Sequence, residues 1–180
     1  MARDDSGAGL VMMAFALGAL AGAAAALLMA PAPGEETRRV LGDYQLTADD
    51  VLSARKFDDA IARGAYPIDI HNPTGTGTVL KRLPPGEAYD IPLRCLMPRN
   101  AEGLVVAGRC ISGTHEAHSS YRVMPIVMAT GHAAGVCAAL AAQEGSPPRA
   151  IEARRVQREL VRQGASLRRD VVDNATEFVG

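Results

Sequence analysis

The chain has 180 residues, 48% of them hydrophobic, with a formal net charge of −1. That length suits one domain of ordinary size, and the charge balance excludes a global field that would draw the chain to nucleic acid. Cys95, Cys110 and Cys137 are the three cysteines. An odd number without a CxxC excludes a disulfide framework or a zinc knuckle and predicts three buried thiols.

In chain order, the first element is an uncharged run from Gly7 to Ala30. About 20 helical residues cross a bilayer core. The run therefore predicts one amino-terminal transmembrane helix over residues 7–30, ended by Pro31 and Pro33. A signal peptide fits less well, because Asp4 and Asp5 offset Arg3 and the run is long for that role. Its Ala/Gly richness leaves a buried or interfacial helix as an alternative. Gly18 and Gly22 share a face with Ala14 and Ala26, a spacing that permits self-association in lipid or reflects simple Ala/Gly bias. Arg38 and Arg39, against Arg3 alone, place the larger carboxy-terminal part in the cytoplasm.

Beyond Gly34 the pattern becomes that of a soluble α/β region. Residues 38–44 read as a short strand. Thr47 is a helix cap followed by Asp49 and Asp50, and that helix is expected to run to Gly64. Tyr66–His71 alternates like an edge strand, and residues 72–77 form a turn-rich loop. Val79–Leu83 and Tyr89–Met97 are predicted strands. Gly103–Gly108 is predicted to be a buried strand of parallel type, followed by a polar loop from Arg109 to Arg122. A helix is predicted from Met124 to Gln143, with Pro125 in its first turn. Gly131 and Gly135 inside it each cost about 1 kcal/mol relative to Ala, which predicts close packing against a strand or ligand. A last, basic helix starts at Ser146–Pro148 and reaches Gly164. Its arginines 149, 154, 155, 158 and 162 are partly offset by Glu152 and Glu159. A solvated face is expected there, with anionic lipid as the sharper alternative. The chain from Ala165 is predicted to fray. The predicted divisions are 1–34, 35–168 and a tail, 169–180.

Chemistry is expected where the strand Leu104–Gly108 gives way to a polar loop and then a helix amino terminus. Ligands in α/β folds bind beyond the carboxyl ends of strands, and a helix start offers N–H groups to an anion. His115–Glu116–Ala117–His118 suggests a metal, but the spacing is not H-E-x-x-H, and no metal site is predicted. His71 shares a strand face with Asp69, as an acid–base pair would. His71, His115 and Glu116 are the candidates for catalysis.

Two resemblances sharpen this reading. The apolar run leading into Ala30–Arg38 resembles the YtxH-like family of small bacterial envelope and stress proteins, over about residues 1–41. From about Glu36 to Leu167 the chain resembles the carboxy-terminal part of a family of FAD-dependent oxidoreductases. Residues 108–117, 122–125 and 128–135 carry that resemblance, together with 42–47, 59–64, 66–71 and 91–96. It implies an FAD cofactor and redox chemistry on an organic substrate. It implies that Gly108 and Arg109 approach the ribityl chain and pyrophosphate, and that Arg122, Val123, Met124 and Pro125 meet the pyrimidine edge. Many related flavoproteins have an acidic residue where Arg109 stands. Such enzymes begin with a G-x-G-x-x-G unit. Gly75–Leu80 has only the first two glycines, and Gly7–Met12 has Met12 where the third belongs. An absent amino-terminal FAD-binding half, supplied by a partner, is therefore expected. The segment Glu36–Leu41 fits both families. The alternative function is non-catalytic: a single-span YtxH-like protein carrying a relic domain.

Overall fold

The structure is a computed structural model that describes residues 41–71 and 77–176. These belong to the compact unit Arg39–Gly180. The expected transmembrane helix, the Gly18/Gly22 face and most of the 72–77 loop lie outside the described residues.

Helix α1 spans Ala48–Leu52. Thr47 caps it as the sequence predicts, accepting from the Asp50 N–H while the Asp50 carboxylate accepts from the Thr47 N–H. The reciprocal pair satisfies two amides that a helix start leaves unbonded. Tyr44 Oη also donates to Asp50 at 2.9 Å, and Arg55 pairs with it at 2.9 Å. Burial pushes the Asp50 carboxyl up, but the hydrogen bonds from Thr47, Tyr44 and Arg55 outweigh it and hold the group below the usual carboxylate range.

The helix does not continue to Gly64. Ala54 turns to a positive φ of 50°, and Ala60–Gly64 is strand β1. Tertiary pairing overrides helix propensity here. β1 lies antiparallel to β4, Tyr89–Pro92, with Ala62 opposite Ile91 and Gly64 opposite Tyr89. Small side chains suit a strand buried on both faces. A Cβ on Gly64 would stand 2.5 Å from the Tyr89 ring and 2.8 Å from Ile126 Cδ1. The second sheet is the antiparallel pair β2, Ile68–His71, and β3, Thr78–Lys81. The expected strand Tyr89–Met97 stops at Pro92, and a 3-10 turn follows over Leu93–Leu96.

Residues 103–107 do not form the expected parallel strand. Val106 N donates to Leu96 O at 2.9 Å, but no ladder forms, and Leu104 is half exposed. No parallel neighbour is present among the described residues to receive that edge. Residues 41–44, the described part of the expected strand 38–44, are likewise no regular strand: Gly42 makes a single bridge to Pro98, and Leu46 just beyond makes one to Gly113.

The polar loop from Arg109 contains helix α2, His115–Tyr121, capped by Thr114. α2 packs on β2, and Ser119 Oγ accepts from Asp69 N at 3.1 Å. Helix α3 spans Met124–Glu144, close to the expected bounds, and ends on Gly145 at a φ of 62°. Ile126, Thr130, Ala133, Val136, Cys137 and Ala141 form its buried stripe against β1 and α4, Ala153–Arg162. By length and composition α3 could cross a membrane. Its buried stripe packs against β1 and α4. The opposite face is also apolar. Met124 and Met128 are 74% and 73% exposed, and Gly131 and Gly135 have nothing within 4 Å of an added Cβ. Those glycines therefore pack on no strand within the described residues.

After the 3-10 turn Pro148–Ala150, α4 presents Val156, Gln157 and Leu160 inward. Gln157 Nε2 donates to Asp58 O and Ala60 O, tying α4 to the start of β1. The expected frayed tail is folded. Leu167 and Val171 are buried, and helix α5 spans Arg169–Thr176. Arg168 pairs with the fully buried Asp90, which also accepts from Phe57 N at 3.1 Å. Burial pushes the Asp90 carboxyl up, against the pull of Phe57 N–H and Arg168.

Removing Arg168 would leave a buried carboxylate poorly compensated. Arg168→Gln should cost about 3 kcal/mol, toward the low end for a broken buried pair because the arginine keeps some exposure. Urea unfolding of the full chain measures it. A raised carboxyl pKa favours the folded state at low pH and loses that contribution as pH rises through it, so the deficit should be largest at neutral pH and shrink on acidification. A loss below about 0.5 kcal/mol, the range of an ordinary surface change, would show that the tail is not anchored this way.

Candidate functional site

The end of the extended segment 103–107, the carboxyl end of α2 and the amino end of α3 meet at one place. Gly108 begins a 3-10 turn, Gly108–Cys110, at a φ of 67°. Its N–H donates to Thr130 Oγ1 at 3.0 Å, and Thr130 Oγ1 donates to Val127 O at 2.9 Å. A Cβ on Gly108 would stand 3.1 Å from Val127 Cγ1. Positive φ and close approach both favour glycine here.

The turn leads into Ile111–Gly113, which lies on Tyr121. Tyr121 Oη donates to Ile111 O at 3.0 Å, and a Cβ on Gly113 would meet the Tyr121 ring at 2.6 Å. Tyr89 Oη and Ser120 Oγ are 2.8 Å apart, and Ser120 Oγ donates to Tyr66 O. The serine proton is thereby used, so Tyr89 donates to Ser120. α2 is thus held to β2, to β4 and to the turn after Gly108.

Arg122 closes α2, its N–H bonded to His118 O, and Val123 is the N-cap residue of α3. Val123 has no side-chain acceptor, and Pro125 has no N–H. The first regular bond of α3 is Val127 N to Val123 O. The first-turn amides are left for solvent or a ligand, at the positive end of a 21-residue helix. Around this end Arg109, His118, Arg122, Val123, Met124 and Pro125 line an open depression of about 540 Å³. Arg109 Nε donates to Arg122 O at 3.2 Å, and an Arg122 Nη donates to Asp69 O at 3.5 Å. The His118 ring stands edge-on to Tyr121, centroids 5.2 Å apart.

The structure thus brings together Arg109, Arg122, Val123, Met124 and Pro125, with Gly108 buried directly behind them. His115 and Glu116 are exposed in the first turn of α2 and do not line the depression. His71 ends β2, paired with Thr78. Among the described residues no group of three His, Cys, Asp or Glu could hold a metal. His118 and Thr130 were not singled out from sequence. Reading Thr114 as a cap with Glu116 in a first turn would have predicted α2, and so placed His118 one turn before Arg122.

The thiols divide differently from expectation. Cys95 and Cys137 are buried, whereas Cys110 is exposed. Burial pushes the Cys95 thiol up to about 12 and raises Cys137 as well, so neither is a nucleophile at neutral pH.

The family model described as FAD dependent oxidoreductase matches residues 12–160. The chain belongs to the FAD dependent oxidoreductase family. No curated protein and no solved structure matches it. The match reaches back past Glu36 into the apolar run. Every residue of the depression and its supporting turn falls inside the matched span.

The residues present fit one end of an FAD molecule. Uncapped helix amides and guanidinium groups suit the pyrimidine carbonyls. No cradle for an adenosine diphosphate is formed among the described residues.

Proposed function

We propose that the depression at the start of α3 is a flavin-contacting site for redox chemistry on an organic substrate. The observation that carries this reading is the uncapped amino end of a long helix, opening beside Arg109 and Arg122, in a chain of this family. FAD, when bound, accepts a hydride or electrons from the substrate. The chain's own part is to orient and to supply charge. The amides of the first turn of α3 and the Arg122 guanidinium face the pyrimidine edge, where negative charge grows on reduction. Val123, Met124 and Pro125 give that edge an apolar floor, which strengthens each polar contact by excluding water. Arg109 is held on Arg122 O at the edge of the same depression.

The adenosine half of the cofactor requires a G-x-G-x-x-G unit, which the sequence does not contain. We infer that a partner chain supplies it, and that this chain alone holds FAD weakly by the flavin end. The purified full chain should be colourless. Added FAD and added riboflavin should perturb the flavin absorption band alike and weakly, and Arg122→Gln should abolish the perturbation. Absence of any perturbation, or one unchanged in Arg122→Gln, would remove the site. Tight stoichiometric FAD binding would contradict the need for a partner.

We also propose that Gly7–Ala30 anchors the chain as a single-pass span of YtxH-like type, with the larger part cytoplasmic. Length, composition and the Arg38–Arg39 flank support this. Close contact of Gly18 and Gly22 is the expected route to self-association. In intact cells a membrane-impermeant thiol reagent should leave the exposed Cys110 unlabelled, and permeabilisation should restore labelling. Labelling of intact cells would reverse the orientation, and recovery of the full chain in the soluble fraction would remove the anchor.

A further inference from the structure

We infer that the substrate of this site is an organic acid, and that Arg109 and Arg122 receive its carboxylate. The inference rests on the flavin reading above and adds the charge class of the molecule oxidised. It starts from charge pairing. Arginines at the edge of the neighbouring cavity already have carboxylate partners: Arg94 pairs with Asp59 at 2.8 Å, and Arg149 pairs with Asp43. Arg55, also on that cavity, pairs with Asp50 at 2.9 Å.

Arg109 and Arg122 differ. Among the described residues neither is ion-paired, and each makes a hydrogen bond to a backbone carbonyl, Arg122 O and Asp69 O respectively. Each guanidinium keeps further N–H donors for a planar oxyanion. Among the described residues the depression they line contains no acidic residue, and its other members are His118, Val123, Met124 and Pro125. Within the described residues the arrangement is therefore a cationic basin with an apolar floor.

Covering such a basin with a flavin ring creates a charge problem. The oxidised ring is neutral, so it would take two guanidiniums out of water without compensating them. Desolvated charge is unfavourable unless it is paired. A carboxylate on the substrate supplies the compensation, and the fork geometry of arginine fixes its orientation beside the ring. A neutral alcohol or amine would leave both cations unpaired, so selection against it follows from the same charge balance. His118, on the same wall, is placed to exchange a proton with the substrate as it is oxidised.

The phosphates of the cofactor are a second source of the same oxyanion chemistry, and one experiment separates the two. Malonate is titrated into the full-length chain labelled with 15N-arginine, with malonamide as the neutral control, at physiological salt. The Nε–H resonances of Arg109 and Arg122 should shift saturably with malonate and not with malonamide. Arg109→Gln and Arg122→Gln should each weaken malonate binding roughly tenfold or more, while Arg154→Gln, an exposed arginine on α4, should leave it unchanged. The titration is repeated with FAD, whose binding is read by its own absorbance. Malonate binding that persists with FAD bound supports the assignment. Displacement of malonate by FAD would give the two arginines to the cofactor's own phosphates and overturn it. Equal shifts with malonamide, or no saturable shift, would overturn it as well. Malonate binding by a chain that does not bind FAD would sink the flavin reading while leaving the carboxylate site in place.

Discussion

The hydrogen bond from the Gly108 N–H to Thr130 Oγ1 is the constraint on which the site depends. It joins the extended segment 103–107 to the second turn of α3 from the buried side. Thr130 passes the bond on to Val127 O, so one hydroxyl satisfies two backbone groups in the interior. Everything that lines the depression is positioned from there. Arg109 follows Gly108 directly, and its reach to Arg122 O is set by where the turn begins. Val123 to Pro125 are carried by the same helix two turns earlier. Without a side-chain hydroxyl at position 130, the glycine amide would be buried unbonded and the turn would have no fixed height on α3.

The same helix explains why the unit looks unfinished on one side. α3 is apolar on both faces: its inner stripe completes the core with β1 and α4, while Met124, Met128, Gly131 and Gly135 face outward. The extended segment beside it carries an exposed Leu104 and no regular ladder. Among the described residues no element covers this face of α3 or extends the segment 103–107 into a sheet. Fixing one end of a helix firmly while leaving its start open is also what a ligand site needs, since the amides there stay available.

Much of this was legible in the sequence, and the failures have physical causes. α3 was readable because Pro125, a long apolar run and Gly145 are strong local signals. The Thr47 cap was readable for the same reason. The helix expected through Ala60–Gly64 failed because pairing with β4 overrides the helix propensity of its alanines. α2 was missed because its polar surface resembles a loop, although Thr114 announces it. The last helix was lost as a tail because Leu167, Arg168 and Val171 act through distant partners, above all Asp90. Of the depression, Arg109, Arg122, Val123, Met124 and Pro125 were singled out through the family motif. His118 and Thr130 were not, since their roles come from helix geometry that the motif does not spell out.

The most direct test of this account is amide hydrogen exchange at Gly108 in the full chain, compared with Thr130→Val. Valine keeps the shape of threonine and removes only the hydroxyl. The account predicts that the Gly108 amide exchanges slowly in the native chain, and that Thr130→Val brings it close to its intrinsic rate while the amides of β1 and β4 stay protected. Rapid exchange at Gly108 in the native chain, or protection unchanged in Thr130→Val, would contradict it.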